Sequence, residues 1–369
     1  MRIVHIVETL ERGGLERVVV ELCQGQRAAG HEVGVLCLFR KGVLAAELEA
    51  GDIGVECIGK RPGLDVWALV RLRAYLRRQR AEVIHAHNAV ATYLAAIATL
   101  LGRRSGAWVS TRHGMGEVRR ESRKERLFHW AAAHYGAVVA VCEAARRQFV
   151  ISGLVSSARS VVIRNGIRID EIVVATPAAR EQARRALGLA AGAFIVGSVG
   201  RLNWAKDYGL MIAAFGRALA GSAAMLVVVG DGAEKAPLQA AAAAAGLAER
   251  VRFLGDRSDV PAILPAFDLF CLSSRTEGYS IALLEAVSAG LAVVATDVGG
   301  NSEIIDDGVS GLLVPAGDVD ALAAALTRLR GDELRARLAQ AAQTWALRHA
   351  GVDAMVAAYL RLYERLTTL

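Results

Sequence analysis

The chain predicts an α/β protein built of two doubly wound parallel-sheet domains that face each other across a cleft. Three observations lead there. A length of 369 residues suits two domains, with room for a third. Short β-branched runs alternate with longer helical stretches, the pattern of parallel strands covered by helices. That alternation then restarts midway, after a proline at 177 and a charged helical stretch.

In the first half the strand runs are residues 3–7, 32–38, 55–58, 83–87, 108–111, 137–141 and 161–164, separated by helical stretches such as 15–29 and 65–80. The second half gives strands over 194–199, 225–229, 251–254, 269–272, 292–296 and 312–314. The boundary is placed near Asp170, which makes an N-terminal domain of 1–170 and a C-terminal domain of 171–352. In such sheets ligands sit at the C-terminal strand ends. The last helix, 353–369, carries Met355, Tyr359, Leu362, Tyr363 and Leu366 at helical spacing. It should pack on a domain surface, crossing back to the first domain. No repeat of about 20–50 residues is visible.

Hydrophobic content of 54% with only six prolines describes a core-rich folded chain. Met1 to Val7 runs straight into Glu8 and Glu11, unlike a secretory leader. The longest uncharged helical stretch, 89–101, is too short to span a bilayer and reads as a buried helix. Cys23, Cys37, Cys57, Cys142 and Cys271 are odd in number and lack a CxxC spacing, as expected of reduced core cysteines in the cytoplasm. Residues 1–170 carry 26 Lys and Arg against 16 Asp and Glu, a net of +10, while the remainder nets −3. The excess clusters at Arg71, Arg73, Arg77, Arg78 and Arg80 and again over 119–126. No aromatic interleaving accompanies it, so nucleic acid is not the expected partner. A helix-borne basic patch better fits an anionic membrane surface or a phosphorylated acceptor, and solvated helix faces explain it as well.

The richest segment for chemistry is Glu277-Gly278-Tyr279-Ser280-Ile281-Ala282-Leu283-Leu284-Glu285. A helix starting near Tyr279 would put Glu285 about two turns in and leave Glu277 beside the free first-turn N–H groups. Those groups and the helix dipole attract anions. The arrangement suits a ligand with a phosphate at the helix end and hydroxyls on either side. Gly200, Arg201 and Lys206 follow the first strand of the second domain, where two cations could neutralise a leaving diphosphate. Gly13 and Gly14 follow the first strand of the chain and open a helix, although plain turn chemistry explains two glycines by themselves. Gly299 and Gly300 open another helix and offer a second place for N–H groups to meet phosphate. His113 closes a first-domain strand and could bond a sugar hydroxyl, while a lone histidine there is more often structural. His85 and His87 share one strand face, which invites a metal; no third ligand shows nearby, and His87 reads as lining the cleft. Asp318 and Asp320 have a DxD spacing that helix capping explains better than a metal.

Taken as an ordered set, these motifs resemble the retaining GT-B glycosyltransferases of the family 4 group. The set is Gly13-Gly14, Thr111-x-His113, Asn165-Gly166, Gly200-Arg201-x4-Lys206, Gly230-Asp231-Gly232, Glu277-x7-Glu285 and Gly299-Gly300, spread over nearly the whole chain. The resemblance implies two Rossmann-like domains and transfer with retention, without a metal or other cofactor. It implies that Arg201 and Lys206 hold the diphosphate of a nucleotide sugar, Glu285 the ribose and Glu277 the donor sugar. His113 would contact the sugar near the reacting carbon, and Gly14, Ser280 and Ile281 would offer N–H groups to the phosphates. Gly13, Asn165, Gly200, Gly230, Gly278 and Tyr279 complete the implied donor site. Two departures stand out: Leu291 replaces the proline many members have after Gly290, and Tyr279-Ser280 replaces Phe-Gly or Phe-Pro.

The expected activity is transfer of a sugar, by default from a UDP-sugar, to a polysaccharide, oligosaccharide or lipid-linked acceptor by a cytoplasmic protein peripheral on the inner membrane face. Base and sugar choice would rest on positions such as Gly255, Arg257 and Tyr279. Two rivals remain on the same fold. A sugar-nucleotide epimerase would turn over its substrate without an acceptor, and a non-catalytic partner would bind without turnover.

Overall fold

The computed structural model describes residues 1–63, 65–99, 106–115 and 122–368, in two compact units. The first unit comprises Met1–Gly166 with Val352–Leu369, the second Ile167–Gly351. The division falls at Gly166, four residues before Asp170. Where the chain leaves and returns, the Ile167 N–H donates to the Ala350 carbonyl at 2.8 Å.

The first unit holds seven strands: β1 (Arg2–Val7), β2 (Glu32–Cys37), β3 (Gly54–Cys57), β4 (Val83–His87), β5 (Ala107–Arg112), β6 (Ala137–Ala140) and β7 (Ser160–Val162). They pair in parallel in the order β3-β2-β1-β4-β5-β6-β7. The order runs outward both ways from β1, so the switch point lies between β1 and β4. The second unit holds β8 (Ile195–Val199), β9 (Met225–Val229), β10 (Val251–Phe253), β11 (Leu269–Leu272), β12 (Ala292–Thr296) and β13 (Leu312–Val314). Its order is β10-β9-β8-β11-β12-β13, with a switch point between β8 and β11. Crevices beyond the carboxyl ends of strands at such points are where open α/β sheets bind ligands.

Strand alternation divides the first unit's core between two sheet faces. Val4, Ile6, Leu36, Ile84 and Trp108 pack on one side with Leu72 and Tyr75. Val7, Val35, Cys37 and Val55 pack on the other with Val19, Val20 and Leu48. In the second unit Val196, Leu226, Val228, Cys271 and Val294 form a core with Met211, Phe215, Leu322 and Leu326. Four of the five cysteines are buried, but Cys57 at the edge strand is exposed, against the expectation of a core thiol. Burial pushes the Cys271 thiol up to about 12, which leaves it inert as a nucleophile.

The helix Val352–Thr367 returns to the first unit, packing on β5 and on the helix Gly14–Ala28. Gly25 permits the close approach, since a Cβ there would lie 2.5 Å from Val356 Cγ2. Tyr359 and Tyr363, one turn apart on this helix, are both buried.

On the helix Val66–Gln79, capped by Asp65, the exposed side chains Val66, Trp67 and Val70 stand beside exposed Arg71, Arg77 and Arg78. Of the second basic cluster, residues 119–121 lie outside the described residues, and Arg123, Lys124 and Arg126 are exposed. Residues 100 and 101 of the uncharged stretch also lie outside them; the helix among the described residues runs Asn88–Ala98 and is largely buried. No helix among the described residues is long and apolar enough to cross a membrane.

Candidate active site

In the second unit the site grows from the two strands at the switch point. β8 runs into Gly200, exposed Arg201 and a single 3-10 turn, Trp204–Lys206. Asp207 then adopts a left-handed conformation (φ +46°) and its carboxylate accepts the Leu210 N–H, capping the helix Tyr208–Ala218. A non-glycine residue holds that conformation only when neighbours enforce it. Here Arg275 pairs with Asp207 at 2.8 Å, and the Ser273 hydroxyl lies 2.9 Å from the carbonyls of both Lys206 and Asp207. The Arg275 N–H donates to Ala205 at 2.8 Å, and the Arg275 guanidinium lies over the Trp204 ring. The loop after β8 is therefore stitched to the loop after β11.

That stitching sets one ion pair. The Lys206 ammonium lies 2.5 Å from Glu277 Oε1, and the Ser274 hydroxyl donates to the same oxygen at 2.6 Å. Oε2 makes no hydrogen bond among the described residues. The Lys206 side chain is 20% exposed and that of Glu277 10%, so the pair is partly desolvated yet reachable by a ligand.

The neighbouring helix is Ile281–Ser288, beginning two residues later than the sequence implied. Glu285, half-buried, consequently lies little more than one turn in, not two. Ser280 is the N-cap: its hydroxyl accepts the Leu283 N–H at 3.4 Å, and Tyr279 before it is buried. The first-turn N–H groups of Ile281 and Ala282 have no intrahelical carbonyl to reach.

The Gly299-Gly300 turn after β12 does something other than expected. Its Gly300 N–H donates to the Gly278 carbonyl at 2.7 Å, so that group is spent on the protein rather than offered to phosphate. Gly299 (φ +59°) sits so close that a Cβ would fall 2.1 Å from the Glu277 carbonyl oxygen. The turn is a clamp on the Glu277-Gly278 peptide. Gly230 plays a similar part beside Gly200, where a Cβ would meet the Gly200 carbonyl at 2.0 Å. Asp318 caps its helix, accepting from the N–H groups of Asp320 and Ala321.

The first unit brings together a different set. Gly13 is extended and caps the helix Gly14–Ala28, with Gly14 as its exposed first residue. Asn165 is buried, next to the Gly166 N–H that points at Met355 Sδ. His113 follows β5, its backbone N–H bonded to Asn88 Oδ1 at 3.1 Å. Asn88 is itself left-handed (φ +64°). The end of β5 is further anchored by Arg112, whose guanidinium forms a buried two-pronged pair with Glu125 at 2.6 and 2.8 Å over the rings of Phe128 and Phe149.

His5 on β1 stands in register with His85 on β4, which supplies the third histidine that the sequence did not show. Ring nitrogens of His5, His85 and His87 lie within 4.8 Å of one another. Every one of those nitrogens already has a partner. His5 bonds Gln26 and His87; His87 bonds His5 and His113; His85 bonds Thr111 and Tyr363. A metal would have to displace those bonds, so the geometry is that of a hydrogen-bonded cluster. His87 is fully buried within it and not a surface-lining residue. The missed signal was the shared strand position of His5 and His85, readable once β1 and β4 are known to be neighbours.

Burial lowers His5 to about 4, from 6.5, despite its bond to Gln26, and lowers His113 to about 3. His85 and His87 are lowered too, by burial first, then by His5 and His113 at His85 and by His85, His113 and His5 at His87. Between these values and 6.5 the unfolded chain binds more protons than the folded one, so stability rises with pH through that window. We expect the urea midpoint to be constant above about pH 6.5 and to fall steadily toward pH 4. His5→Phe should flatten part of that slope, and an unchanged slope would remove His5 as a cause.

The residues 179–345 match the family model described as Glycosyl transferases group 1, and residues 12–171 match Glycosyltransferase Family 4. Among curated proteins, the chain is 33% identical over 287 residues to the 2-deoxystreptamine N-acetyl-D-glucosaminyltransferase of Streptomyces fradiae, covering 72% of this chain and 66% of that one. It is 27% identical to the UDP-Gal:alpha-D-GlcNAc-diphosphoundecaprenol alpha-1,3-galactosyltransferase of Escherichia coli, covering 73% and 72%. Among solved structures, Anabaena HepE in complex with UDP superposes with a TM-score of 0.86 at 26% identity, over 99% of this chain and 100% of that one.

Proposed function

This chain belongs to the group 1 glycosyl transferases, and we propose that it acts on a nucleotide sugar, transferring a sugar from a UDP-sugar with retention and without a metal. The acceptor is a polysaccharide or lipid-linked saccharide at the cytoplasmic membrane face. The observation that carries the reading is the Lys206–Glu277 pair at the second unit's switch point, beside the N-terminus of the helix Ile281–Ser288.

Breaking a glycosyl–phosphate bond builds positive charge on the sugar and negative charge on the departing diphosphate. Lys206 and Arg201 stabilise the diphosphate as it leaves, together with the first-turn N–H groups around Ser280 and Ile281. Glu277, held by Ser274 and Lys206, accepts hydrogen bonds from sugar hydroxyls through Oε2. Glu285 takes the ribose hydroxyls. In the first unit, His113 bonds the sugar near the reacting carbon and Gly14 offers an N–H to phosphate. The choice of uridine draws support from the UDP complex of HepE and the UDP-Gal-dependent relative. The membrane face draws support from Trp67, 72% exposed amid arginines on the helix Val66–Gln79.

Thermal unfolding with UDP, GDP and ADP tests the donor assignment. A nucleotide at about 100 times its dissociation constant adds about 2.7 kcal/mol of stability. We expect a clear rise in Tm with UDP and little with the others. No rise with any of the three would overturn the donor site.

A further inference from the structure

Four of the chain's eight histidines join one network, buried at His5, His85 and His87 and half-buried at His113, and that network has a direction. It starts at Gln26, buried on the helix Gly14–Ala28, whose Oε1 lies 2.8 Å from His5 Nε2. A carbonyl oxygen only accepts, so His5 carries its hydrogen on Nε2. A neutral imidazole has one donor and one acceptor nitrogen, so His5 Nδ1 must accept. Its partner at 3.0 Å is His87 Nε2, which therefore donates. His87 Nδ1 is left as the acceptor for His113 Nε2 at 2.9 Å. At the end of the series His113 presents Nδ1 as a bare lone pair, buried and without a partner among the described residues.

Gln26 begins a second branch of the same polarity. Its Nε2 donates to the Tyr363 hydroxyl at 3.4 Å, which donates to His85 Nδ1 at 2.7 Å. His85 Nε2 then donates to Thr111 Oγ1 at 2.7 Å, and Thr111 shares its hydroxyl with Tyr359 at 2.9 Å. Flipping the Gln26 amide would reverse both branches and leave a buried Nδ1–H of His113 without an acceptor, a costlier defect than the bare lone pair. Neutral rings are what the surroundings favour, because burial lowers the pKa of all four histidines.

We propose that Gln26, His5 and His87 are positioning residues that fix His113 as the Nε2–H tautomer, so that its Nδ1 accepts a hydrogen bond from a donor-sugar hydroxyl. A lone pair at that position selects for a hydroxyl that donates. The His113 backbone is held independently by its N–H bond to Asn88. The sugar contact rests on the functional reading above, whereas the tautomer does not.

The test is nitrogen NMR of histidine-labelled protein, read at the ring nitrogens of His113, with His113→Gln to assign them. We expect hydrogen on Nε2 and a lone pair on Nδ1 in the wild type. Gln26→Met keeps the apolar bulk and removes both the acceptor and the donor, so a substantial Nδ1–H population should appear. Hydrogen on Nδ1 in the wild type, or an unchanged His113 tautomer in Gln26→Met, would overturn the proposal; the wild-type spectrum decides it if the variant does not fold. Calorimetry with UDP-glucose and UDP then separates the two ideas. With the tautomer switched, UDP-glucose should bind about threefold to tenfold more weakly, the loss of one neutral hydrogen bond, and UDP should bind unchanged. An equal loss for both would mark a merely structural effect and overturn the positioning role. No loss for either, with the tautomer switched, would leave the network standing and overturn the sugar contact.

Discussion

Replacing Lys206 with alanine should lower kcat about 100-fold to 1,000-fold, the cost of removing one donor from a preorganised anion site. Fold stability should fall by less than for a fully buried pair, because Ser274 still donates to the Glu277 carboxylate left behind. The reason lies in the geometry: the ammonium is held 2.5 Å from Glu277 by a loop that Ser273 and Arg275 secure at several points. The cation is therefore in place before any leaving group develops charge. Glu277→Ala should impair transfer similarly, since it removes the proposed sugar contact and frees Lys206 from its position. Lys206→Arg should rescue only in part, because a planar fork does not reproduce a compact ammonium. The check is initial-rate transfer alongside a urea melt of each variant. Full turnover by Lys206→Ala and Glu277→Ala would sink the site assignment.

The second large effect falls on stability. Glu125→Ala should cost about 3–5 kcal/mol, because it strands the Arg112 guanidinium in a buried setting. Arg112 is 8% exposed and Glu125 6%, and two aromatic rings flank the cation. Replacing both partners together, as in Arg112→Met with Glu125→Leu, should recover most of the loss, since no uncompensated charge remains. Denaturant unfolding measures both variants. A loss under about 1 kcal/mol for the single change would mean that water reaches Arg112 and screens it.

Much of the architecture was legible because parallel sheets announce themselves. Strands buried on both faces read as continuous apolar runs, and runs such as 225–229 and 292–295 stand out beside the helices around them. The loops after β8 and β11 were also legible as a site, through Arg201, Lys206, Glu277 and Glu285. What the residues alone did not reveal was what each loop does with its polar groups. Gly299-Gly300 carries the same composition whether its N–H groups face a phosphate or a carbonyl; only the packing against Gly278 decides. Ser280 similarly shifted the helix start, because a hydroxyl that caps a first turn outweighs the two residues before it. The histidine cluster escaped because its members come from β1, β4 and the segment after β5, and from tyrosines far along the chain. Strand order had to be known before His5 could be placed beside His85.

The return of the helix Val352–Thr367 to the first unit bears on how the protein is made. During synthesis, residues 1–166 emerge well before the segment that completes their core. Until then His85 and Thr111 lack the tyrosine hydroxyls that cap them, and the sheet face beside Gly25 is uncovered. Domains generally fold as units, the N-terminal one first, during translation. Here the first to appear is the last to be finished: the nascent sheet waits, apolar face open, for a contact 278 residues away between His85 and Tyr363. A ribosome-stalled chain ending before Val352 should consequently be a client for chaperones, and the full-length product should not.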